Sequence, residues 1–217
     1  SSTATLQTLF EPEILDTGGA IANAKPWLNR SDFFVINADI FSTISLETVF
    51  QSHLDSSAIA TLVLHDCSEF NKITVGKDGY VLNFDGGKNG LAFTGIQVLS
   101  PDVFEYFPTK KKFSSIDVYK SLCKIQRVKA WTAASHVWSD IGTPERYSDI
   151  SIKYLASTTL NVAPDDIGAI KIQALAGDGS DRKWFRAETQ GKSCIISDHG
   201  ICLESSEQRR QFDSFVY

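Results

Sequence analysis

The sequence has no apolar run near the roughly 18 to 20 residues that a membrane-spanning helix needs, which excludes a transmembrane segment. No basic segment precedes an apolar stretch at the amino end, so we expect no signal peptide and a cytoplasmic protein. Extended runs of lysine and arginine are absent and the formal net charge is −5, which argues against nucleic acid as the main partner. Methionine is also absent, although ordinary usage predicts roughly four or five, which indicates a processed or partial sequence.

The cysteines form no recognisable metal or redox motif. No C-x-x-C pair occurs, and no histidine stands at a metal-ligand spacing from a cysteine. The pattern predicts reduced, buried or half-buried thiols and no structural zinc site. The four residues are Cys67, Cys123, Cys194 and Cys202. The four histidines are equally scattered and we expect them to be structural; they are His53, His65, His136 and His199.

The composition is that of a globular protein, and its first 157 residues alternate short apolar strands with amphipathic helices. Hydrophobic residues make up 42% of the 217 residues and charged residues 22%, which excludes wholesale disorder. Alternation of this kind predicts an α/β fold with a mostly parallel sheet covered by helices on both faces. The predicted strands are Leu6–Phe10, Asp32–Asn37, Ala60–Leu64, Gly90–Leu99, Val128–Thr132 and His136–Trp138, with a hairpin from Lys72 to Phe84. The predicted helices are Thr17–Leu28, Leu46–Leu54, Ile116–Cys123 and Pro144–Ser157.

The pattern of predicted secondary structure changes after residue 157. Residues 158–164 are predicted to be a linker, and residues 165–217 are predicted to form the first half of a second domain, because so few elements bury little surface alone. This part is expected to contain a small antiparallel sheet and one helix. The predicted elements are the strands Ile170–Leu175, Lys183–Ala187 and Ser193–Ser197 and the helix Ser205–Tyr217.

Two acidic residues follow predicted strands. Asp39 follows the strand Asp32–Asn37, and Asp140 follows His136–Trp138. In open α/β sheets ligands bind beyond the carboxyl ends of strands, and Mg²⁺ takes one or two carboxylates beside substrate oxygens and water. The pair therefore suggests a magnesium site at a nucleotide phosphate. The alternative roles are a cap of the following turn for Asp39 and support of the Gly142 backbone for Asp140.

Two glycines open the predicted helix Thr17–Leu28. Gly18 and Gly19 lack side chains, so their backbone N–H groups can approach a ligand closely at a helix N-terminus. A Gly-Gly pair is weak evidence when it stands alone.

Together these segments resemble the sugar-1-phosphate nucleotidylyltransferases across residues 5 to 155. Family members share the patterns L-x-T-G-G-A/G-I, F-x-V-x-N-G/A-D, F-T-G-I and W-x-D-I-G-T-P-E-R-Y. This sequence presents them, in order, at Leu15–Ile21, around Phe34–Asp39, at Phe93–Ile96 and at Trp138–Tyr147. The Thr-Gly-Gly variant is most similar to the N-acetylmuramate-1-phosphate uridylyltransferase branch. The resemblance implies a Rossmann-like fold.

The resemblance also implies roles for individual residues. Asp39 and Asp140 are the implied catalytic residues and Mg²⁺ ligands. Gly18, Gly19 and Asn37 are the implied nucleotide-binding residues, and the implied substrate is UTP or GTP. Gly95 and Asp117 are the implied contacts to the second substrate, a sugar 1-phosphate.

The sequence departs from the family at two places. Ala38 stands where the family usually has glycine, so its methyl group is expected to crowd the nucleotide. The Gly-rich G-x-G-T-R loop and the Lys-Pro that cradle the triphosphate have no counterpart before Leu6. We therefore expect either that this phosphate-loop segment lies outside the sequence or that the chain is inactive.

A second resemblance concerns the segment from Leu175 to Arg186. Its glycine-containing turn is similar to the phosphate-covering loop of aminoglycoside-phosphotransferase-like sugar kinases, which implies ATP contacts at Gly177, Gly179 and Ser180. The alternative is an ordinary polar hairpin. The implied kinase catalytic segments would follow Tyr217, so kinase activity is not expected from this chain as written.

The two resemblances support each other, because a kinase that makes a sugar 1-phosphate supplies a nucleotidylyltransferase. We therefore interpret the protein as a sugar-1-phosphate nucleotidylyltransferase of cell-wall sugar recycling or nucleotide-sugar synthesis. The alternatives are a sugar kinase as the principal activity and a non-catalytic sugar-nucleotide-binding module.

Overall fold

The computed structural model describes residues 5–86, 90–134, 136–176 and 182–198. Contacts divide the chain into two compact units, the first formed by residues 1–40 and 44–134 and the second by residues 41–43 and 135–217. The α-helices are α1 (Asp16–Asn23), α2 (Lys25–Leu28), α3 (Leu46–Leu54), α4 (Ser115–Cys123) and α5 (Pro144–Leu160). The strands are β1 (Phe33–Ile36), β2 (Ile40–Ser42), β3 (Ala60–His65), β4 (Thr74–Val75), β5 (Val81–Asn83), β6 (Ala92–Leu99), β7 (Val128–Thr132), β8 (Trp138–Asp140), β9 (Lys171–Leu175), β10 (Lys183–Thr189) and β11 (Lys192–Asp198).

A four-stranded mixed sheet in the order β1-β6-β3-β7 forms the centre of the first unit. β3 and β7 are parallel, whereas β6 runs antiparallel to both of its neighbours, β1 and β3. β1, β3 and β7 thus run in one direction and β6 runs against them, so the sheet is mixed and the prediction of a mostly parallel sheet is corrected at β6. The reason lies in the connection between β3 and β6: its described part contains the β4–β5 hairpin and no helix, so the chain enters β6 in the opposite direction.

Helices cover both faces of this sheet, as predicted. On one face Leu62 and Leu64 of β3 contribute to a core with Val118 and Leu122 of α4. On the other face Val63 forms a second core with Val98 of β6 and Val49 of α3. Successive strand residues point to opposite faces, so neighbours in sequence join different cores.

Two serine caps account for the starts of α3 and α4, and one proline accounts for the break between α1 and α2. Ser45 caps α3 and Ser114 caps α4, each by accepting a hydrogen bond from a backbone N–H of the first turn. The predicted helix Thr17–Leu28 instead divides into α1 and α2 around Ala24. Pro26 explains the division, because it has no N–H to donate within a continuous helix.

The predicted strand Leu6–Phe10 is absent from the structure. Leu6 and Phe10 are 90% and 86% exposed, and no described strand pairs with this segment. An apolar run forms a strand only when a partner supplies its hydrogen bonds. The prediction was therefore wrong at this position.

The second unit contains α5 and a three-stranded antiparallel sheet in the order β11-β10-β9. This sheet was predicted, and Ile170 and Ala187 bury it against Ala156 and Leu160 of α5. The helix continues through the first residues of the predicted linker and ends at Asn161, which has a left-handed φ of 55°. β8 pairs with β2, and it begins and ends two residues later than the predicted strand His136–Trp138. The predicted helix Ser205–Tyr217 lies outside the described residues.

None of the described helices has the length and apolar character that a crossing of the bilayer requires.

Candidate active site

The turn after β1 carries the first predicted metal ligand. Asn37, Ala38 and Asp39 follow β1 directly, and all three are exposed. The Asp39 carboxylate makes no hydrogen bond or ion pair with any described residue, so it does not cap the turn. The carboxylate is therefore open to solvent and available to a ligand.

Gly95 lies against this turn because β6 bulges there. The register between β3 and β6 shifts around Val63, whose carbonyl accepts a hydrogen bond from Thr94 Oγ1 at 2.8 Å. Gly95 has a φ of 82°, and its carbonyl accepts a hydrogen bond from the Asn37 N–H at 3.0 Å. A Cβ at Gly95 would lie 2.8 Å from Asn37 Cγ. The structure thus brings together a predicted nucleotide-binding residue and a predicted sugar-binding residue.

The glycine pair of α1 is buried under a neighbouring segment. The N–H groups of Gly18 and Gly19 both donate to the Phe113 carbonyl, at 3.0 and 3.2 Å. A Cβ at Gly18 would overlap the Phe113 ring, and a Cβ at Gly19 would overlap the Lys111 carbonyl. These N–H groups are engaged within the chain, which corrects the expectation that they point to a ligand. A nucleotide contact of the two glycines stays a prediction.

The first turns of α1 and α4 lie side by side. Thr17 Oγ1 accepts a hydrogen bond from the Ser115 N–H at 3.1 Å and lies 3.1 Å from Ser115 Oγ. Asp117, the predicted sugar contact, is exposed in the same turn of α4. The arrangement places the Thr-Gly-Gly motif next to the turn that carries Asp117.

A buried polar pair connects α4 to the sheet, and the sequence analysis missed it. The Tyr119 hydroxyl donates a hydrogen bond to Gln97 Oε1, and these residues are 1% and 2% exposed. Burial raises the pKa of Tyr119, so the phenol remains a neutral donor. The available signal was a glutamine within the apolar run of β6.

Asp140 differs from Asp39 because its carboxylate has partners. Oδ1 accepts hydrogen bonds from the Gly142 N–H at 3.0 Å and from the Arg146 guanidinium at 3.1 Å. The alternative role from the sequence, support of the Gly142 backbone, is thus present in the structure. Oδ2 has no partner among the described residues and remains available to a ligand.

The donor chemistry of these carboxylates fits Mg²⁺. Hard carboxylate oxygens are its preferred protein ligands, and one or two of them are enough when phosphate and water complete the shell. Asp39 belongs to the first unit and Asp140 to the second. Their joint clamp on one ion therefore stays a prediction.

The second unit also holds a cluster that was not predicted. His136 Nδ1 lies 3.1 Å from Asp165 Oδ1, and the Thr43 hydroxyl donates a hydrogen bond to the same oxygen. The hydrogen bond from Thr43, with a smaller contribution from His136, lowers the pKa of Asp165. The kinase-like residues Gly177, Gly179 and Ser180 lie outside the described residues.

A cleft in the first unit borders the glycine pair. It has a volume of about 590 Å³, and its lining includes Phe10, Leu15, Gly19 and Lys111. This volume lies within the range of small-molecule sites.

Comparison with known proteins identifies relatives of this chain. The family described as "Nucleotidyl transferase" matches residues 2–157. The D-glycero-alpha-D-manno-heptose 1-phosphate guanylyltransferase of Campylobacter jejuni is 28% identical over 141 residues, which cover 64% of this chain and 62% of the relative. The N-acetylmuramate alpha-1-phosphate uridylyltransferase of Neisseria meningitidis is 28% identical over 134 residues, which cover 59% of this chain and 58% of the relative. The equal identities do not separate the two branches.

A solved structure shows the same fold. The crystal structure of HddC from Yersinia pseudotuberculosis complexed with GMP-PN matches with a TM-score of 0.54 and 27% identity, covering 67% of this chain and 65% of that one. The match supports a Rossmann-like α/β fold with a mixed sheet. The chain spans about three-fifths of the length of the curated relatives it matches.

Proposed function

The chain belongs to the nucleotidyl transferase family, and from this membership we propose that it transfers a nucleotidyl group to a sugar 1-phosphate. A phosphate oxygen of the sugar attacks the α-phosphorus of a nucleoside triphosphate. The new phosphorus–oxygen bond forms as the bond to the β-phosphate breaks, and pyrophosphate leaves with that electron pair. The products are a nucleotide sugar and pyrophosphate. The observation that carries the proposal is the family match, which includes Asp39 and Asp140.

The roles of the chain's own residues follow from their surroundings. Asp39 and Asp140 each keep carboxylate oxygens free, and these would hold Mg²⁺. When bound, the ion would neutralise charge that builds up on the phosphates. The Asn37 side chain packs against Gly95, where a Cβ would overlap it, and Asn37 precedes Asp39 in the same turn. Asp117 would accept hydrogen bonds from sugar hydroxyls. Catalysis then rests on positioning and on charge neutralisation, without a covalent intermediate.

The choice of base and sugar belongs to the same proposal. UTP and GTP are the candidate donors, and CTP is included in the test because a relative named as a probable glucose-1-phosphate cytidylyltransferase matches at a similar identity. The test is a matrix of these three nucleotides against a panel of sugar 1-phosphates, with pyrophosphate release as the measurement. Release with one pair supports the proposal and identifies the substrates. No release with any pair from the protein in its full natural length would contradict it and leave the non-catalytic binding module.

Finer assignments extend this proposal. We infer a role in cell-wall sugar recycling or nucleotide-sugar synthesis from the relation between the two sequence resemblances. The antiparallel sheet β9–β11 supports a kinase-like N-lobe only in its topology. ATP binding there is tested by titration of the protein with a fluorescent ATP analogue, in which no saturable binding would contradict the kinase-like assignment.

A further inference from the structure

Arg146 holds one oxygen of the Asp140 carboxylate and leaves the other open. Oδ1 accepts hydrogen bonds from both Gly142 and Arg146, whereas Oδ2 accepts none from the residues that the structure describes. The Asp140 and Arg146 side chains are each 36% exposed, so water only partly screens the pair. The carboxylate is therefore oriented for a ligand and, at the same time, paired with a positive charge.

The start of α5 places the Arg146 backbone close to Asp140. Thr143 caps the helix, and its Oγ1 accepts a hydrogen bond from the Arg146 N–H at 3.3 Å. The N-terminus of a helix also carries a partial positive charge. A divalent cation that approaches Oδ2 is consequently repelled by the guanidinium and by the helix end.

We propose that Arg146 is a positioning residue that acts as a charge gate on Asp140: it orients the carboxylate and lowers its affinity for a divalent cation until a triphosphate is bound. This rests on the proposed function, which brings a nucleotide to the carboxylate. The phosphates carry several negative charges, which attract both a guanidinium and a helix N-terminus. The cation accordingly enters together with the nucleotide and not ahead of it.

The change in cation affinity on loss of Arg146 distinguishes a charge gate from a residue that only orients Asp140. If Arg146 only oriented Asp140, its loss would weaken cation binding. A gate predicts the opposite, because removing a unit charge near a doubly charged ion favours that ion. In mostly aqueous surroundings at a few ångströms this effect is on the order of tenfold in affinity.

The experiment measures Mn²⁺ binding to the nucleotide-free protein at low ionic strength, from the electron paramagnetic resonance signal of the free ion. Arg146→Gln is expected to bind Mn²⁺ about tenfold more tightly than the unmodified protein. Arg146→Lys keeps the charge and is expected to stay within about twofold. Concentrated salt should shrink the difference. Lys153→Gln is the matched control, since it removes a lysine of the same helix that pairs with Asp149 instead.

Several outcomes would overturn the gate. Binding by Arg146→Gln that is unchanged or weaker contradicts it, and so does a gain that persists when Asp140→Asn is added. A gain of equal size in Lys153→Gln would show that the charge acts without reference to Asp140. Circular dichroism melts of each variant establish that the proteins compared are folded. Failure of the proposed function would give a different result: no pyrophosphate release, although Arg146→Gln still binds Mn²⁺ more tightly than the unmodified protein.

Discussion

Asp39 and Asp140 have different surroundings, and the difference predicts different consequences of the same substitution. The Asp39 carboxylate is exposed and has no partner among the described residues, whereas Asp140 Oδ1 serves both Gly142 and Arg146. Removing the charge at Asp39 therefore breaks no hydrogen bond or ion pair with a described residue. Removing it at Asp140 also removes an ion pair at the start of α5.

Asparagine at either position is expected to lower turnover by about 10² to 10³-fold, because each variant loses one charge from a hard-cation site. The thermal midpoint of Asp39→Asn should equal that of the unmodified protein. That of Asp140→Asn should be slightly lower, since the ion pair with Arg146 is lost. Pyrophosphate release at saturating Mg²⁺ and circular dichroism melts provide the measurements. Normal turnover in both variants would remove the metal assignment.

His53 predicts how stability depends on pH. The residue is 3% exposed, its Nδ1 lies 2.8 Å from Thr61 Oγ1, and its Nε2 lies 3.9 Å from Asp32 Oδ2. Burial lowers the pKa of His53; Lys129 adds to this effect, and Asp32 opposes it. The unfolded chain therefore binds the proton at a higher pH than the folded chain does. The stabilisation is complete above the unfolded pKa of about 6.5 and is lost as the pH falls through the folded pKa.

Urea unfolding between pH 7.5 and 5 tests this dependence. The free energy of unfolding should decrease as the pH falls, and His53→Gln should flatten that slope. His65→Gln is the control, because His65 is less buried, and it should keep the slope of the unmodified protein. Equal slopes in His53→Gln and in the unmodified protein would assign the pH dependence to other groups.

The close contact of α1 with the segment before α4 is possible because Gly18 has no side chain. A Cβ at Gly18 would overlap the Phe113 ring, while Gly168 has nothing within 4 Å and no positive φ. Gly18→Ala should therefore destabilise the protein by about 1 to 3 kcal/mol, the usual cost of overpacking. Gly168→Ala should leave the free energy of unfolding nearly unchanged. Equal denaturant midpoints for Gly18→Ala and the unmodified protein would show that the contact is not tight.

The Tyr119–Gln97 pair predicts non-additive stability effects. Tyr119→Phe leaves the buried amide of Gln97 without its donor, which costs about 1 to 3 kcal/mol. Adding Gln97→Leu removes the amide as well, so the double variant should lose less free energy than the two single variants summed. Urea denaturation of all four proteins measures the coupling. Strict additivity would mean that the hydrogen bond contributes nothing to stability.

Secondary structure could be predicted from the sequence where the signal lies in the element itself. It was predicted wrongly where the structure depends on pairing with residues far away in the sequence. The bounds of α3 match the prediction because Ser45 and the apolar spacing lie within the element itself. The strand predicted at Leu6–Phe10 depends on a pairing partner, which the local pattern does not reveal. The antiparallel direction of β6 was, by contrast, indicated by the predicted hairpin that connects β3 to β6 without a helix. The hydrogen bond between Tyr119 and Gln97 joins residues 22 positions apart, so the spacing of apolar residues could not predict it.

Within the first unit, the structure brings Asn37 to Gly95 and corrects the expected contact of the glycine N–H groups, whereas the joint position of Asp39 and Asp140 stays a prediction. The contact between Asn37 and Gly95 follows from the pairing of β1 with β6, which spacing alone does not reveal. The glycine pair was recognised, but its N–H groups donate to the Phe113 carbonyl and not to a ligand. Glycine permits a close approach of another backbone segment as well as of a ligand, so the residue type alone does not distinguish the two.

At the scale of the whole molecule, the family match and the contact units divide the chain differently. The match ends at residue 157, the last residue of the first predicted domain, whereas contacts divide the chain after residue 134. The matched region therefore includes all of the first unit's sheet and most of α5. The domain boundary drawn from the sequence stays a prediction, and limited proteolysis would test it.

We propose that this chain transfers a nucleotidyl group to a sugar 1-phosphate. The most direct test follows the α-phosphate of the nucleotide. The protein in its full natural length is incubated with α-³²P-labelled UTP, GTP or CTP, Mg²⁺ and the sugar 1-phosphate panel, and the products are separated by chromatography. We predict label in a nucleotide sugar together with one equivalent of pyrophosphate, and formation of both products that is slower by about 10² to 10³-fold in Asp39→Asn. Label that stays in the triphosphate for every pair would contradict the proposal.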